Sequence, residues 1–388
     1  MTDSAVVYTE VKDAPGAAQA LSSQVAEQFG GAKPDAMVVF AAPGYDHELL
    51  LRNLVEASHP GVLVGASSAG EFTHSARGQD NACVLALRSD EMRFSAGLGR
   101  GLKADRAGVA RAVTSTFQGI GNTSYGYRTA LILTDALAGH AEDLVDELTL
   151  ATSGTYQFVG GGAGDNAQFQ RTAVFHMGSV VTDAAVGLEI LSNKPVGIGV
   201  GHGWKPSGAP MRVTEAQGAR LVSLNGFPAL QAFQKHAQAT GQSLDVAAPI
   251  PFFLHNILGV ETGAGHRLRV PLAVNRDGSV DCAAEIPAGA LVSIMRTTAN
   301  SAAEAASQAS QTAVKGLGGN RPQVALFFDC VATRLRLGDV FGLELQAVAA
   351  QLGKAAMMGC NTHGQIARAD GQFGGFHNCT AVVCALPA

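Results

Sequence analysis

The chain has no C-x-x-C pair among its six cysteines, no block of like charge, and no uncharged apolar run that approaches ~20 residues. Six dispersed cysteines in 388 residues (Cys83, Cys282, Cys330, Cys360, Cys379, Cys384) read as reduced thiols, most of them in the core, rather than as a disulfide framework. Twenty-seven basic residues stand against 32 acidic ones, spread along the chain, which excludes a nucleic-acid footprint and a polybasic membrane patch. The start, "MTDSAVVYTEVKDAPG", has no basic region followed by an apolar stretch, so a cytoplasmic location with no membrane association is expected. Neither G-x-G-x-x-G nor G-x-x-x-x-G-K-[ST] marks the glycine-rich stretches, and dinucleotide or Walker chemistry is therefore not expected.

What is abundant is glycine, 47 residues of it, within a composition 47 % hydrophobic and only 15 % charged. That describes a compact globular chain with many tight turns and close backbone approaches. Its length predicts two domains sharing one extended core.

Three stretches share one grammar. They begin at Pro34 ("PDAMVVFAAPGYDHELL…"), Thr129 ("TALILTDALAGHAEDL…") and Pro322 ("PQVALFFDCVATRLRLG…"). Each opens with a short apolar β-like run, passes a polar break, continues with helical periodicity and enters a second apolar run. Each then closes in a small-residue turn on a glycine and an acid or amide: Gly70-Glu71, Gly164-Asp165 and Gly364-Gln365. The predicted fold is mixed α/β: two related halves of strand–helix–strand units whose glycine turns line a ligand cleft. Further strands are expected at "AAVGLEIL", "VGIGVGHGW", "HRLRVPLAV" and "ALVSIMRT", and a helix at "SAAEAASQASQTAVKGLG". The polar stretch "QAFQKHAQATGQSLDVAAPIP" places the division near residue 240, giving domains 1–240 and 241–388.

In their order, "VLVGASSAGEF", "FVGGGAGD", "GHGWKP", "GARLVSLNGFPAL", "LFFDCVATRLRLG", "MMGCNTHGQI" and "GGFHNCTAVV" resemble the motifs of the FIST sensory family, N- and C-terminal parts together. The resemblance runs from about Pro34 to Leu386. It implies an intracellular small-ligand sensor. One branch, the nitric-oxide-sensing proteins, binds haem b and regulates histidine kinases or cyclic-di-GMP enzymes. With no kinase or cyclase signature in the sequence, the output is expected from a separate partner. The chain departs from the family at "NTHGQI", where Tyr is commoner than His363 and Glu commoner than Gln365.

The individual motifs bear several readings. "GASSAGEF" is close to the strained turn of a serine hydrolase, but it reads G-x-S-x-A and leads into a strand-like run, which favours a ligand-facing turn. Aligned on the glycine-acid pairs, Ser67 and Ser68 become glycines in the second copy and Asn361-Thr362 in the third, so no nucleophile recurs. Asp165 is either a turn acceptor or a ligand contact. Cys360, His363, His377 and Cys379 could make a zinc set, or one strand face could wall a pocket. As haem ligands, His377 stands beside Phe373 and Phe376, and His255 beside Phe252 and Phe253. The residues expected around a ligand are Ser67, Ser68, Gly70, Glu71, Gly162, Gly164, Asp165, Arg334, Thr362, Gly364, Gln365, Asn378 and Thr380, with Asn378 and Thr380 on the strand face opposite His377. A haem-dependent sensor leads, ahead of a haem-free metabolite sensor and an enzyme that uses Cys330 or Cys360 as nucleophile.

Overall fold

The structure, a computed structural model, describes residues 2–121, 124–263, 265–369 and 375–388. Among them three six-stranded sheets share one plan. In the first, the order is Thr2–Thr9, Ala82–Ser89, Ala36–Ala41, Val62–Ser67, Val174–His176, Ser179–Val181. In the second it is Met92–Arg100, Ala184–Ser192, Tyr127–Thr134, Gln157–Gly162, Gln365–Arg368, Phe376–His377. In the third it is Gly197–Gly201, Ala381–Pro387, Pro322–Cys330, Ala356–Thr362, Glu71–Thr73, Arg77–Gly78. The middle pair of each is parallel and joined through a helical crossover. The last two strands of each are a hairpin sent over from a neighbouring unit.

Both faces of these sheets are covered, which is why their central strands read as unbroken apolar runs such as "AMVVFA" and "AVVCALP". The inner faces meet in one core, to which Phe40, Leu85, Leu133, Leu188, Phe328 and Val382 contribute from all three sheets. Each outer face carries a helix pair: Ala14–Gln28 with His47–Ser58, Arg106–Thr114 with Ala141–Ala151, and Ala299–Gly316 with Gly342–Leu352. Four of these six helices begin on a cap that satisfies an otherwise orphaned N–H, as where Asp46 accepts from Leu49 N at 3.0 Å.

The expectation of two related halves is therefore corrected to three pseudo-equivalent units. The reason lies in an insertion. Between Gly197–Gly201 and the helix Ala299–Gly316 the chain leaves the third unit and builds a nine-stranded antiparallel sheet from Lys205 to Arg296, with the helix Ala229–Thr240 on it. The first strand of the third unit is thereby separated from the rest of that unit in sequence. Residue 240 falls inside the insertion, whose core draws Leu221 and Phe233 from one side and Phe253 and Val280 from the other.

Close approach decides one joint of this architecture. The strand Gly197–Gly201 lies directly under the alanine stripe of Ala299–Gly316, and a Cβ on Gly199 would stand 1.8 Å from the Ala309 carbonyl oxygen. No side chain fits without moving backbone. Gly199→Val is expected to cost at least ~1–3 kcal/mol in denaturant unfolding, the usual range for overpacking, and wild-type stability would show that the helix is free to lift.

Candidate functional site

The three glycine turns converge on one pole of the molecule and bond to one another. Gly164 N donates to Ser67 O (2.8 Å), Ala69 N to Asn361 O (2.9 Å), Asn361 N to Gly70 O (2.8 Å), Gly162 N to Gly364 O (2.9 Å) and His363 N to Gly162 O (3.0 Å). The cross-strand pairs Ala66↔Val174, Gly161↔Gln365 and Cys360↔Glu71 set the equivalence of the copies. Ser67-Ser68 matches Gly162-Ala163 and Asn361-Thr362. Alignment on the glycine-acid pairs is thus one residue out in the second copy, where a longer loop follows the turn, and Gly164-Asp165 is no counterpart of Gly70-Glu71.

Many of the polar residues singled out in the sequence are braces. The Ser68 hydroxyl donates to Glu71 Oε1, and Glu71 Oε2 accepts from Asn81 N at 3.2 Å. In the third unit Gln365 repeats the arrangement, meeting the Thr362 hydroxyl at 2.9 Å and the Thr380 backbone at 3.3 Å. The second unit does the same with Asp135, a residue the sequence reading missed: it accepts from the Thr172 hydroxyl and from Asp183 N at 2.5 Å. Each brace ties a turn or strand end to the residue that opens the next long antiparallel strand. Burial pushes the Glu71 carboxyl up to about 7, opposed by the Ser68 and Asn81 hydrogen bonds and by the Arg334 charge. Arg334, on the short helix Val331–Leu337, is 8 % exposed with Nε and Nη1 unpartnered among the described residues; its side chain passes beside Gly70.

A cavity of about 430 Å³ opens beside this pole, between the second unit, the third unit and the inserted sheet. Leu137, Val270, Leu272, Ala283 and Ala332 give it an apolar wall, and Cys330, His363, Gly364 and Asn378 face it as well. His363 stacks on Phe169 with ring centres 4.7 Å apart, and its Nε2 lies 3.6 Å from Asp165 Oδ1. Burial drives this imidazole down to about 4; Asp165 works against that and Arg334 adds to it, so the ring is neutral near pH 7. Neither ring nitrogen has a hydrogen-bond partner among the described residues. Asn378 donates from Nδ2 to His377 O at 3.3 Å, while its Oδ1 is buried with no partner among the described residues.

Asp165 resolves as a turn acceptor: its carboxylate takes the N–H groups of Phe169 (3.0 Å), Gln170 (2.7 Å) and Arg171 (3.0 Å). It also borders, with Ser67, Tyr45, His47 and Arg171, a second and more polar cavity of about 500 Å³. The predicted ligand set is thus divided. Gly364 and Asn378 face the first cavity, Ser67 and Asp165 the second, and Ser68, Glu71, Thr362, Gln365 and Thr380 serve as braces. The Thr380 hydroxyl is spent on Asn378 O at 2.7 Å. Phe169, Leu137 and the inserted-sheet residues were not legible in sequence, because nothing in a linear pattern reveals which loops cover a cavity.

Neither histidine expected to hold haem iron fits that role. His377 Nε2 is turned to the Ala367 carbonyl at 3.4 Å, His255 is solvent-exposed, and neither borders the first cavity; Phe373 lies outside the described residues. The zinc quartet does not converge either. Cys360 is buried in the shared inner core, while Cys379 packs with Cys330. Among the described residues one group brings three ligand atoms within 4.8 Å of one another: His140, Asp143 and Glu285, at the rim of the first cavity. The Arg106 guanidinium already supplies positive charge there, 3.7 Å from Asp143 Oδ2 and 3.5 Å from His140 Nδ1.

Residues 35–226 match the FIST N domain and residues 229–368 the FIST C domain. No curated protein matches the chain. Among solved structures it is similar to a cyanuric acid hydrolase from A. caulinodans (9 % identity, all of both chains, TM-score 0.39) and to a second cyanuric acid hydrolase (12 % identity, all of both chains, TM-score 0.32). Likeness at that level assigns neither fold nor activity. No helix among the described residues is long and apolar enough to cross a membrane.

Proposed function

Because the chain belongs to the FIST family, whose domains have a general sensory and signalling role, we propose that it is a small-ligand sensor whose ligand occupies the 430 Å³ cavity. The observation that carries this reading is the Asn378 side chain, which borders this largely apolar cavity and whose Oδ1 has no hydrogen-bond partner among the described residues. Leaving such an acceptor unpaired costs ~1–3 kcal/mol, which a ligand N–H or O–H would recover. The neutral His363 ring, already stacked on Phe169, borders the same cavity. The ligand class is an uncharged, planar, mostly apolar molecule that carries a hydrogen-bond donor. Binding between the second unit and the inserted sheet joins the two FIST domains, and a separate histidine kinase or cyclic-di-GMP enzyme would read the resulting change.

N-Phenyl-1-naphthylamine, an uncharged fluorescent aromatic amine with one N–H, tests the site. Its emission is expected to rise saturably with wild-type protein. Ala283→Trp, which fills the cavity from the inserted sheet, should weaken binding at least about ten-fold, and Asn378→Leu should abolish the preference for this probe over its N-methyl analogue. Equal saturation by wild type and a folded Ala283→Trp protein would remove the cavity from the function.

A further inference from the structure

Four cysteines behave as buried apolar side chains: the thiols of Cys83, Cys360 and Cys384, and that of Cys282 on the inserted-sheet wall of the cavity, are all pushed up by burial. Cys330 and Cys379 differ. Cys330 ends the strand Pro322–Cys330, and Cys379 sits in the turn before Ala381–Pro387 with a left-handed φ of +48°. Both belong to one buried cluster with Trp204, Val270 and Met295, which brings the two thiols together. The Cys379 thiol and the backbone N–H groups of Cys379 and Ala332 favour the ionised form of the Cys330 thiol. Three donors on one sulfur favour its thiolate, whereas the donating thiol is held protonated. Cys330 is accordingly lowered to about 7, first by the Cys379 thiol and against the effect of burial, while Cys379 is raised. Asp329 opposes the Cys330 thiolate, and on its far side Cys379 faces Arg336 as well as Asp329.

Access is the second requirement, and the fold supplies it: Cys330 faces the 430 Å³ cavity, whereas Cys379 lies behind it. We propose that Cys330 and Cys379 are the nucleophilic and resolving thiols of a reversible disulfide couple, oxidised by a hydroperoxide that enters through the cavity. The Cys330 thiolate attacks one oxygen of the O–O bond; that bond breaks, and the departing alkoxide takes a proton and leaves as an alcohol. Cys330 becomes a sulfenic acid. The Cys379 thiol then attacks the sulfenic sulfur, forming the S–S bond as the hydroxyl leaves with the thiol proton as water. Two thiols lose two electrons, and the hydroperoxide is reduced to alcohol and water. The couple would give the chain a redox input at the floor of the cavity already assigned to its ligand.

Full-length protein treated with cumene hydroperoxide, then denatured and alkylated with N-ethylmaleimide, reports the result by intact mass. The expected product carries four alkylated cysteines in place of six, returns to six after dithiothreitol, and yields a linked peptide pair containing Cys330 and Cys379. Cys379→Ser should trap a dimedone adduct on Cys330, Cys330→Ser should show no oxidation at Cys379, and Ala283→Trp should slow the wild-type reaction several-fold. The mass measurement on wild type does not depend on any variant folding. Six alkylated cysteines after peroxide treatment, or a disulfide between any other pair, would overturn the proposal; an unchanged rate in Ala283→Trp would overturn the route through the cavity.

Discussion

Glu71→Gln is expected to stabilise the protein by roughly 3 kcal/mol at pH 8 and to leave its stability nearly unchanged below pH 4.5, the difference following from a carboxyl held at about 7 against 4.5 when unfolded. Between those values the folded chain keeps a proton that the unfolded chain has released. Wild-type stability therefore falls as pH rises through this window, and no further loss from this group occurs above it. The cause is burial, since Glu71 is fully enclosed; the Ser68 and Asn81 hydrogen bonds and the Arg334 charge offset it only in part. Glutamine can keep the geometry, with its oxygen accepting from Asn81 N and its amide donating to Ser68 Oγ. The third unit already carries an amide at this place, Gln365 beside Thr362. The reverse change, Gln365→Glu, should introduce the pH dependence there. Urea unfolding of wild type and variant from pH 4 to 8 measures the difference, and parallel stability curves would show that Glu71 titrates normally.

His377→Gln is expected to act in the opposite pH direction and by a comparable amount. Burial lowers the His377 imidazole from 6.5 to about 4, with Arg267, Arg269 and His202 adding to the effect and the Ala367 carbonyl opposing it. Below 6.5 the unfolded chain binds a proton that the folded chain refuses. The wild type thus loses stability as pH falls from 6.5 towards 4, by roughly 3 kcal/mol from this group alone. Removing the titrating ring flattens that part of the profile, and the variant's stability relative to wild type should rise below pH 6.5 and be greatest near pH 4. Ring-proton NMR titration of wild type reads the same quantity directly. A His377 midpoint near 6.5 would refute it.

Glu71 and Gln365 also show how much of this protein was legible in its sequence. Their turns were visible as copies of one device, because an apolar run that ends in small residues and glycine has the same local physics wherever it occurs. The strands and helices were legible for the same reason: doubly covered strands read as continuous apolar runs, and "HELLLRNLVEA" and "HAEDLVDELTLA" bury Leu54 and Leu148 on single helix faces. What each polar turn residue does was not legible. Ser68 and Thr362 looked like ligand contacts because a hydroxyl in a glycine turn has the same composition whether it faces a cavity or a neighbouring carboxyl.

The local sequence determined the strands, the crossover helices, the glycine turns and, through the order of its motifs, the family. Three matters were decided only by tertiary structure. The number of repeating units was hidden because the nine-stranded insertion separates the first strand of the third unit from the rest, and each unit's hairpin completes another unit's sheet. The cavity belongs to Phe169, Val270 and Asn378 together, residues drawn from distant segments that only the packed sheets bring together. The unlike chemistry of Cys330 and Cys360 depends on which donors surround each sulfur. Cys360 meets the apolar core and Cys330 meets two N–H groups and a second thiol, and that contrast arises from three-dimensional neighbours, which spacing along a chain does not encode.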